Sequence, residues 1–166
     1  MKNLAKSVFA LFLLVVLALV GTGEAPEGSY LVASVVDGDT IGVMMDDEIV
    51  KIRLIGADTP ETVHPTKPVE CFGAEASAFT NSELLNQYVS LEEDSTQSDK
   101  DRYGRLLRYV FLEGENFNEK LIRDGYAYEY TYDDPYKYQS SFKSAEQYAA
   151  SNEIGLWSDD VCVDPS

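Results

Sequence analysis

Three stretches early in the chain have the pattern of hydrophobic and polar residues that predicts β-strands. Residues 29–37 and 40–45 are rich in β-branched side chains and are joined through a glycine, which is typical of a hairpin with a tight turn. In the third stretch, 49–55, apolar residues alternate with Lys51 and Arg53, as in a strand with one buried face. We therefore expect the Arg53 side chain to point away from the core, toward the surface or a cleft.

The remaining pattern predicts two more strands and three helices. The strands are expected over residues 88–93 and 106–112, and the helices over residues 72–85, from Asn116 to near Gly125, and over 140–152. Asn116 with Glu119 three residues later resembles a capping box, and Gly125 suits the end of that helix. Five short strands with a helix before the fourth predict an α+β fold. We expect a small closed β-barrel of the oligonucleotide-binding (OB-fold) type with three helices packed around it.

The first residues have the pattern of a leader rather than of a folded element. Lys2 and Lys6 precede an apolar run over residues 8–20, and small residues follow it, which is typical of a secretory signal peptide. The run is shorter than the roughly 20 apolar residues that span a bilayer. We therefore expect a signal peptide over residues 1–25 and one secreted domain over 26–166. The alternative is an uncleaved N-terminal anchor that holds the domain on the outer face of the membrane.

The composition is strongly acidic, with a formal net charge of −16. Non-specific affinity for nucleic acid comes mainly from Lys and Arg that neutralise phosphates, so this balance at first argues against a polyanionic ligand. However, most of the basic residues after the leader lie in or beside three polar motifs: Lys51, Arg53, Lys67, Lys100, Arg102, Arg105 and Arg108. This distribution predicts a locally positive cleft on an acidic body.

The three motifs together have the residue types that phosphodiester hydrolysis requires. They are Asp-Gly-Asp-Thr at 37–40, Asp-Thr-Pro-Glu-Thr at 58–62 preceded by Arg53, and Asp-Arg-Tyr-Gly-Arg at 101–105. Asp39 leaves a tight turn and Asp58 is expected to end the third strand, so their carboxylates could share a hard divalent cation. The guanidinium groups of Arg53 and Arg105 match phosphate oxygens, and Glu61 could accept a proton from a polarised water. The alternative is ordinary: turn aspartates, and arginines in surface ion pairs.

Two cysteines, Cys71 and Cys162, are far apart in the sequence. In an exported chain they could form a disulfide that ties the C-terminal tail to the start of the first helix. The alternative is two unrelated small apolar residues. His64, the single histidine, precedes a proline in a predicted loop, and we expect it to be non-catalytic.

The motifs resemble those of the staphylococcal nuclease (thermonuclease) family, and the similarity covers about residues 31–159. The resemblance also includes His64-Pro65, the Gly-Ala-Glu-Ala-Ser-Ala-Phe-Thr run at 73–80 and the closing Ile-Gly-Leu-Trp-Ser at 154–158. It implies that Asp39, Asp58 and the backbone carbonyl of Thr59 bind Ca²⁺. It further implies that Glu61 orients or deprotonates water and that Arg53 and Arg105 contact the scissile phosphate.

The implied activity is that of a calcium-dependent endonuclease that hydrolyses DNA and RNA, single-stranded or locally opened, and leaves 3′-phosphate ends. Arg102 stands where the family often has a lysine, and Tyr103 matches a substrate-side tyrosine. Tyrosines at 126, 128, 130 and 132 alternate at period two, which predicts four rings on one face. Tyr130 and Tyr132 are the candidates for stacking on bases. Alternatively, this stripe packs against the body of the fold.

Two other functions remain open from the sequence. A non-catalytic domain of the same fold could bind nucleic acid or a protein ligand, although such domains typically lose the carboxylates or arginines that are present here. A purely structural secreted domain would suit the acidity. We expect no stable protein partner and a monomeric protein.

Overall fold

The computed structural model describes residues 25–62, 69–132 and 134–162. In these ranges the strands are β1 (Tyr30–Asp37), β2 (Thr40–Met45), β3 (Glu48–Leu54), β4 (Ala57–Asp58), β5 (Tyr88–Glu92), β6 (Leu106–Leu112), β7 (Glu115–Asn116) and β8 (Tyr128–Glu129). The helices are α1 (Gly73–Leu84), α2 (Phe117–Arg123) and α3 (Gln139–Ser151), followed by a 3₁₀ turn at Gly155–Trp157. The five predicted strands and three predicted helices are therefore present.

Five strands close into a barrel. Strands β3, β2, β1, β5 and β6 pair in that order, each neighbouring pair antiparallel, and β6 returns to pair with β3 in parallel through Ile52–Leu106 and Leu54–Arg108. Closure leaves no unpaired edge between β3 and β6. The predicted α+β fold, an OB-fold-like barrel with three helices, is confirmed.

The core fills the barrel and the space beneath the helices, because the apolar residues of each strand alternate inward. Its largest fully buried side chains are Tyr109, Phe117, Phe142, Ile41, Ile52, Leu54, Leu84, Leu121 and Ile122. The inner face of α3 is Phe142, Ala145 and Ala149, as its helical spacing predicts. Asn116 caps α2 by accepting a hydrogen bond from the Glu119 backbone N–H, which confirms the predicted start of this helix.

The first helix begins one residue later than its apolar spacing predicts. Phe72 lies just before α1 in a left-handed conformation (φ 67°), and the buried face of the helix is formed by Gly73, Ala76, Thr80 and Leu84. The polar Thr80 side chain can be buried because its hydroxyl donates a hydrogen bond to the Gly38 carbonyl at 2.6 Å. This contact attaches α1 to the β1–β2 turn, which is where the first motif lies.

A disulfide joins Cys71 to Cys162, with the two Cα atoms 5.5 Å apart. It connects the segment before α1 to the C-terminal tail. The predicted leader, as well as His64 and Lys67, lies outside the described residues. Over the ranges that the structure describes, no helix has both the length and the apolar character needed to cross a membrane.

Candidate active site

The Asp39 carboxylate is buried just after the β1–β2 turn, and hydrogen bonds hold it in one orientation. Its Oδ2 accepts from the Thr59 backbone N–H at 2.9 Å, and its Oδ1 accepts from the Thr40 hydroxyl at 3.0 Å. Thr40 pairs with Arg53 in the β2–β3 ladder. This register brings Arg53 Nη1 to 3.0 Å from Asp39 Oδ2. The hairpin therefore builds the first half of the site.

Asp58 reaches the same guanidinium from another segment, with its Oδ1 2.6 Å from Arg53 Nη2. The prediction that Asp58 ends the third strand is wrong, because β3 stops before Gly56. Gly56 has φ +75°, and a Cβ there would lie 2.6 Å from the Tyr136 ring, so only glycine fits this bend. The chain then enters β4, where Asp58 pairs with Tyr128 of β8. Asp39 and Asp58 are both bonded to Arg53, and the binding of a divalent cation by these two carboxylates stays a prediction.

The third motif folds into a tight loop around the Asp101 carboxylate. Asp101 accepts hydrogen bonds from the backbone N–H groups of Tyr103 and Arg105 and from Arg105 Nε. Burial alone would raise the pKa of Asp101, but these hydrogen bonds outweigh it and lower the pKa below its ordinary value. Arg105 Nη1 then donates to the Thr40 hydroxyl at 3.1 Å, and that hydroxyl donates to Asp39. Arg53 and Arg105 are thus positioned beside the same buried carboxylate.

Both arginines line one cavity of about 500 Å³. The predicted substrate-binding residues line it as well: Arg102, Tyr103, Tyr130 and Tyr132. The Tyr103 side chain is 69% exposed and lies under two guanidinium groups, with Arg102 4.8 Å and Arg105 5.4 Å from the ring centroid. The structure therefore gathers Arg53, the basic and aromatic residues of the third motif and two tyrosines from near residue 130 around one opening.

Glu61 lies beside Glu70, and two hydrogen bonds join these residues. Its N–H donates to the Glu70 carboxylate at 3.1 Å, and the Glu70 N–H donates to the Glu61 carbonyl at 2.9 Å. Gly73 packs against this turn, since a Cβ at Gly73 would lie 2.9 Å from the Pro60 carbonyl oxygen. These contacts fix the backbone from which the Glu61 side chain extends.

Carboxylates are crowded at this end of the barrel. Burial raises the pKa of Asp37 to about 7, and the charges of Asp39 and Glu61 add to the rise. Burial also raises the pKa of Asp58, against the opposing charge of Arg53 and with a further contribution from Asp39. Burial and mutual repulsion thus disfavour the ionised forms of these carboxylates unless positive charge lies beside them.

This charge pattern fits a hard divalent cation, because oxygen donors with excess negative charge are what Ca²⁺ prefers. The predicted ligand set has two carboxylates, Asp39 and Asp58, and one backbone carbonyl, that of Thr59. Among the described residues, no group of three or more His, Cys, Asp or Glu side chains meets the geometry of a metal site. The donor chemistry thus fits a cation, whereas Arg53 currently bonds to both carboxylates.

The tyrosine stripe does not form a single face, so the prediction of four rings on one face is wrong. Tyr126 stacks on Phe79, with ring centroids 4.1 Å apart, and Tyr128 packs edge-on against Trp157 at 5.5 Å. The other two rings, at 130 and 132, lie 6.2 Å apart and line the cavity. Both readings of the stripe are therefore partly right: half of it packs on the body, and half of it faces the candidate site.

The positive cleft is smaller than its sequence predicts. Arg108 is buried and bonds to Asp99 at 2.7 Å and to Glu93 at 3.0 Å, so it belongs to the fold rather than to the cleft. Lys51 is exposed on β3 and does not line the cavity. The cations that line the cavity are Arg53, Lys100, Arg102 and Arg105.

Sequence reasoning missed the residues that orient the arginines. Asp101 binds Arg105 through its side chain, and the Thr40 hydroxyl connects that arginine to Asp39. An aspartate that accepts backbone N–H bonds two and four residues ahead is typical of an Asx turn. The Asp-Arg-Tyr-Gly-Arg motif at 101–105 is compatible with such a turn, so the turn at Asp101 could have been predicted from the sequence. Thr40 had no such signal, because its role depends on the register between two segments.

This chain is similar in sequence to known proteins over most of its length. Residues 51–159 match the family described as staphylococcal nuclease homologue. The thermonuclease of Staphylococcus hyicus is 47% identical over 138 residues, covering 83% of this chain and 80% of that protein. The thermonuclease of Staphylococcus intermedius is 45% identical over 129 residues, covering 78% of this chain and 76% of that protein.

A third, less similar relative matches this chain over a smaller share of its own length. The SPbeta prophage-derived endonuclease YokF of Bacillus subtilis is 40% identical over 125 residues, which cover 74% of this chain and 42% of that protein. The shared region in each comparison includes most of this chain. On the family match and the two thermonuclease similarities together, this chain belongs to the staphylococcal nuclease family.

Proposed function

We propose that this chain is a calcium-dependent endonuclease that hydrolyses phosphodiester bonds of DNA and RNA and leaves 3′-phosphate ends. Membership of the family makes the chain a hydrolase of the nuclease type. The observation that carries the finer proposal is that Arg53 contacts Asp39 directly, Arg105 is connected to it through the Thr40 hydroxyl, and both arginines line the same cavity.

The proposed cation site consists of Asp39, Asp58 and the Thr59 carbonyl. A divalent cation bound there supplies Lewis-acid polarisation of a phosphate oxygen and of water. Asp39 is suited to this role because Thr59 and Thr40 already hold its two oxygens. Asp58, whose side chain is 46% exposed, is the more accessible of the two carboxylates.

The two arginines are proposed to bind the phosphate whose bond is cleaved. A guanidinium presents planar paired donors that match phosphate oxygens, and it stays charged at every working pH. Arg53 is held by Asp39 and Asp58, and Arg105 is held by Asp101, so neither side chain has to be ordered when the substrate arrives. Preorganised donors of this kind stabilise the charge that develops on the phosphate oxygens in the transition state.

Glu61 is proposed to orient or deprotonate the attacking water. Its charge contributes to the raised pKa of Asp37, so Glu61 lies within electrostatic reach of the β1–β2 turn. A carboxylate is a weak base toward bulk water, so the proposed role of Glu61 depends on polarisation of the water by the cation and the arginines.

The aromatic residues suit a substrate with unpaired bases. Tyr130 and Tyr132 line the cavity and are 44% and 68% exposed, and exposed rings stack on bases without sequence preference. Tyr103 and Arg102 supply a further ring and cation at the opening. We therefore propose single-stranded or locally opened DNA and RNA as substrates, with the protein acting as a monomer and without a stable protein partner.

One observation favours the alternative, a non-catalytic domain that binds nucleic acid or protein. The Arg53 donors are already occupied by two carboxylates and the Ala57 carbonyl. If these contacts persisted with substrate bound, Arg53 would organise the site without contacting phosphate. Turnover separates the two functions, because a binding domain has none.

The test is cleavage of labelled single-stranded DNA and RNA by the purified protein, by Glu61→Gln and by Lys143→Gln. Lys143 lies exposed on α3, away from the cavity, and serves as the matched control. We expect Glu61→Gln to lose about 10²–10⁴-fold in kcat, the range for a general acid–base group, and Lys143→Gln to keep wild-type activity. Binding without cleavage by the wild-type protein would establish the alternative.

We further propose that the protein is secreted, with residues 1–25 as its signal peptide. The basic start and the short apolar run support this. N-terminal sequencing of the protein recovered from the medium of an expressing cell tests it. We expect a start between residues 22 and 29. Retention on cells with an intact Met1 end would instead indicate the membrane-anchored form.

A further inference from the structure

We infer that Thr131 and Glu129 are positioning residues that hold the Tyr130 and Tyr132 rings in place for stacking on unpaired bases. This inference rests on the proposed function, which assigns the two rings to bases. It adds the side chains that orient the rings, although neither Thr131 nor Glu129 lines the cavity.

Burial alternates along residues 129–132. Tyr130 and Tyr132 are exposed and line the cavity, whereas Glu129 and Thr131 are half-buried. The side chains of Glu129 and Thr131 bond to residues at the start of α3 and in the segment before it. The two rings are therefore available to a ligand, while the two polar side chains attach the same segment to the body of the protein.

A chain of hydrogen bonds connects Thr131 and Glu129 to α3. The Thr131 hydroxyl donates to Glu129 Oε1 at 2.6 Å and accepts from Gln139 Nε2 at 2.6 Å. The Tyr136 hydroxyl donates to the same Glu129 oxygen at 2.9 Å. In addition, the Glu129 backbone N–H donates to the Glu146 carboxylate at 2.9 Å. The Thr131 hydroxyl is the link between Gln139 and Glu129, so its removal breaks the chain at one point.

The backbone of the tyrosine segment is attached to the strand that leads to the candidate active site. Glu129 pairs with Ala57 of β4, and the Tyr130 N–H donates to the Gly56 carbonyl at 3.0 Å. Arg53 donates to the Ala57 carbonyl from the other side. One framework therefore carries both the rings proposed for the base and the guanidinium proposed for the phosphate.

These bonds keep the rings oriented before a substrate arrives. A ring that is already ordered loses less conformational freedom on binding than a ring on an unattached segment, so its stacking contributes more to affinity. Hydrogen bonds to a carboxylate are stronger than those between neutral groups. Burial raises the pKa of Tyr136, and its bond to Glu129 raises it further, so this hydroxyl stays a donor at working pH.

The primary test is Thr131→Val, because valine keeps the shape of the side chain and removes only the hydroxyl. Ser141→Ala is the matched control, since the Ser141 hydroxyl also joins α3 to a carboxylate, that of Glu119 at 2.7 Å, and lies outside the cavity. Both variants and the parent are assayed for cleavage of a fluorescent twelve-nucleotide oligothymidylate with calcium. We expect KM to rise about 3–10-fold in Thr131→Val with kcat within about twofold of the parent, a part of what one stacked base contributes. Ser141→Ala should match the parent.

A second ligand separates the positioning of the rings from a general disturbance of the site. An abasic deoxyribose-phosphate oligomer of the same length has phosphates but no bases to stack, and its inhibition constant is measured as a competitor of cleavage. We expect this constant to be equal in Thr131→Val and the parent. A second variant, Tyr136→Phe, removes the other hydroxyl bonded to Glu129 and should raise KM in the same way. Its control is Tyr138→Phe, because the Tyr138 hydroxyl bonds to Glu92 outside the cavity.

The rings themselves supply the decisive comparison. In a Tyr130→Ala/Tyr132→Ala background, Thr131→Val should change KM by less than about twofold, because residues that act through the same contact are not additive. An unchanged KM in Thr131→Val, or an equal weakening of the abasic competitor, would overturn the inference. If the wild-type protein neither binds nor cleaves nucleic acid, the proposed function fails and this inference fails with it. If the wild-type protein cleaves and KM does not move in Thr131→Val, this inference alone fails.

Discussion

Arg53 Nη1 lies 3.0 Å from Asp39 Oδ2, and the pairing of two neighbouring strands creates this contact. Thr40, the residue after Asp39, is opposite Arg53 in the β2–β3 ladder. The guanidinium also reaches Asp58 in β4, so one side chain joins three segments of the barrel end. Arg53 therefore holds the Asp39 and Asp58 carboxylates in place, and this role is separate from its proposed contact with phosphate.

Arg53→Lys tests whether the planar shape of this side chain matters beyond its charge. A lysine keeps one positive charge but cannot bond to both Asp39 and Asp58 in the fork geometry that Arg53 has. We expect kcat/KM to fall by about 10²–10³-fold, as for loss of a preorganised donor. Lys51→Arg, on the same strand and away from the cavity, is the control and should keep wild-type kinetics. A loss below about threefold in Arg53→Lys would contradict the role given to the guanidinium.

Asp101→Asn tests the orientation of Arg105. The amide oxygen can still accept the backbone N–H bonds, but the charge that holds Arg105 Nε is lost. We expect kcat to fall about 10–10²-fold with a small change in KM, because a displaced catalytic group slows the chemical step. Asp99→Asn is the matched control, since Asp99 bonds to Arg108 outside the cavity. Equal activity of both variants would show that Asp101 does not position Arg105.

The disulfide should contribute to stability mainly by restricting the unfolded chain. It closes a sequence separation of 91 residues. Replacing Cys71 and Cys162 together by serine should lower the free energy of unfolding by about 2–4 kcal/mol. Urea unfolding of the variant and of the reduced wild-type protein measures this, and both should show the same lower midpoint. An unchanged midpoint would mean that the C-terminal tail joined by this disulfide does not unfold together with the rest of the domain.

Asp94 should make the fold sensitive to acid. Burial alone would raise its pKa, but hydrogen bonds from the Lys137 N–H, the Tyr109 hydroxyl and Thr96 lower the pKa to about 2. A carboxyl group with a lower pKa in the folded state stabilises the fold above its unfolded pKa of 3.8, and this contribution is lost as the pH falls toward 2. Asp94→Asn should therefore be less stable than the wild type by on the order of 2 kcal/mol at pH 6. The difference should shrink between pH 4 and pH 2, as measured by urea unfolding, whereas a difference independent of pH would contradict this reading.

Local patterns in the sequence predict the parts of the site that depend on neighbouring residues. The hairpin that aligns Asp39 with Arg53 follows from alternation and a tight turn, and the cap at Asn116 follows from its spacing to Glu119. The five long strands and their closure are also what the order of elements predicts.

The errors come from contacts between residues that are distant in sequence. Asp58 lies in β4 because Tyr128 pairs with it across the chain, which no local pattern indicates. The tyrosine alternation fails as a single face because β8 is only two residues long, so the rings beyond Tyr128 leave the strand. Arg108 does not contribute to the positive cleft because it bonds to Glu93 and Asp99. The sequence pattern does not show that these side chains lie together, because the fold brings them into contact.

The proposed nuclease activity depends most on a cation held by Asp39 and Asp58 that acts with the two arginines on one phosphodiester bond. The direct test is to titrate calcium into the metal-free protein with a single-stranded oligonucleotide labelled at its 5′ end, and to analyse the end groups of the products. We expect saturable dependence on calcium, no cleavage with chelator, and labelled products that end in a 3′-phosphate. Cleavage at full rate in chelator, or products with 3′-hydroxyl ends, would contradict it.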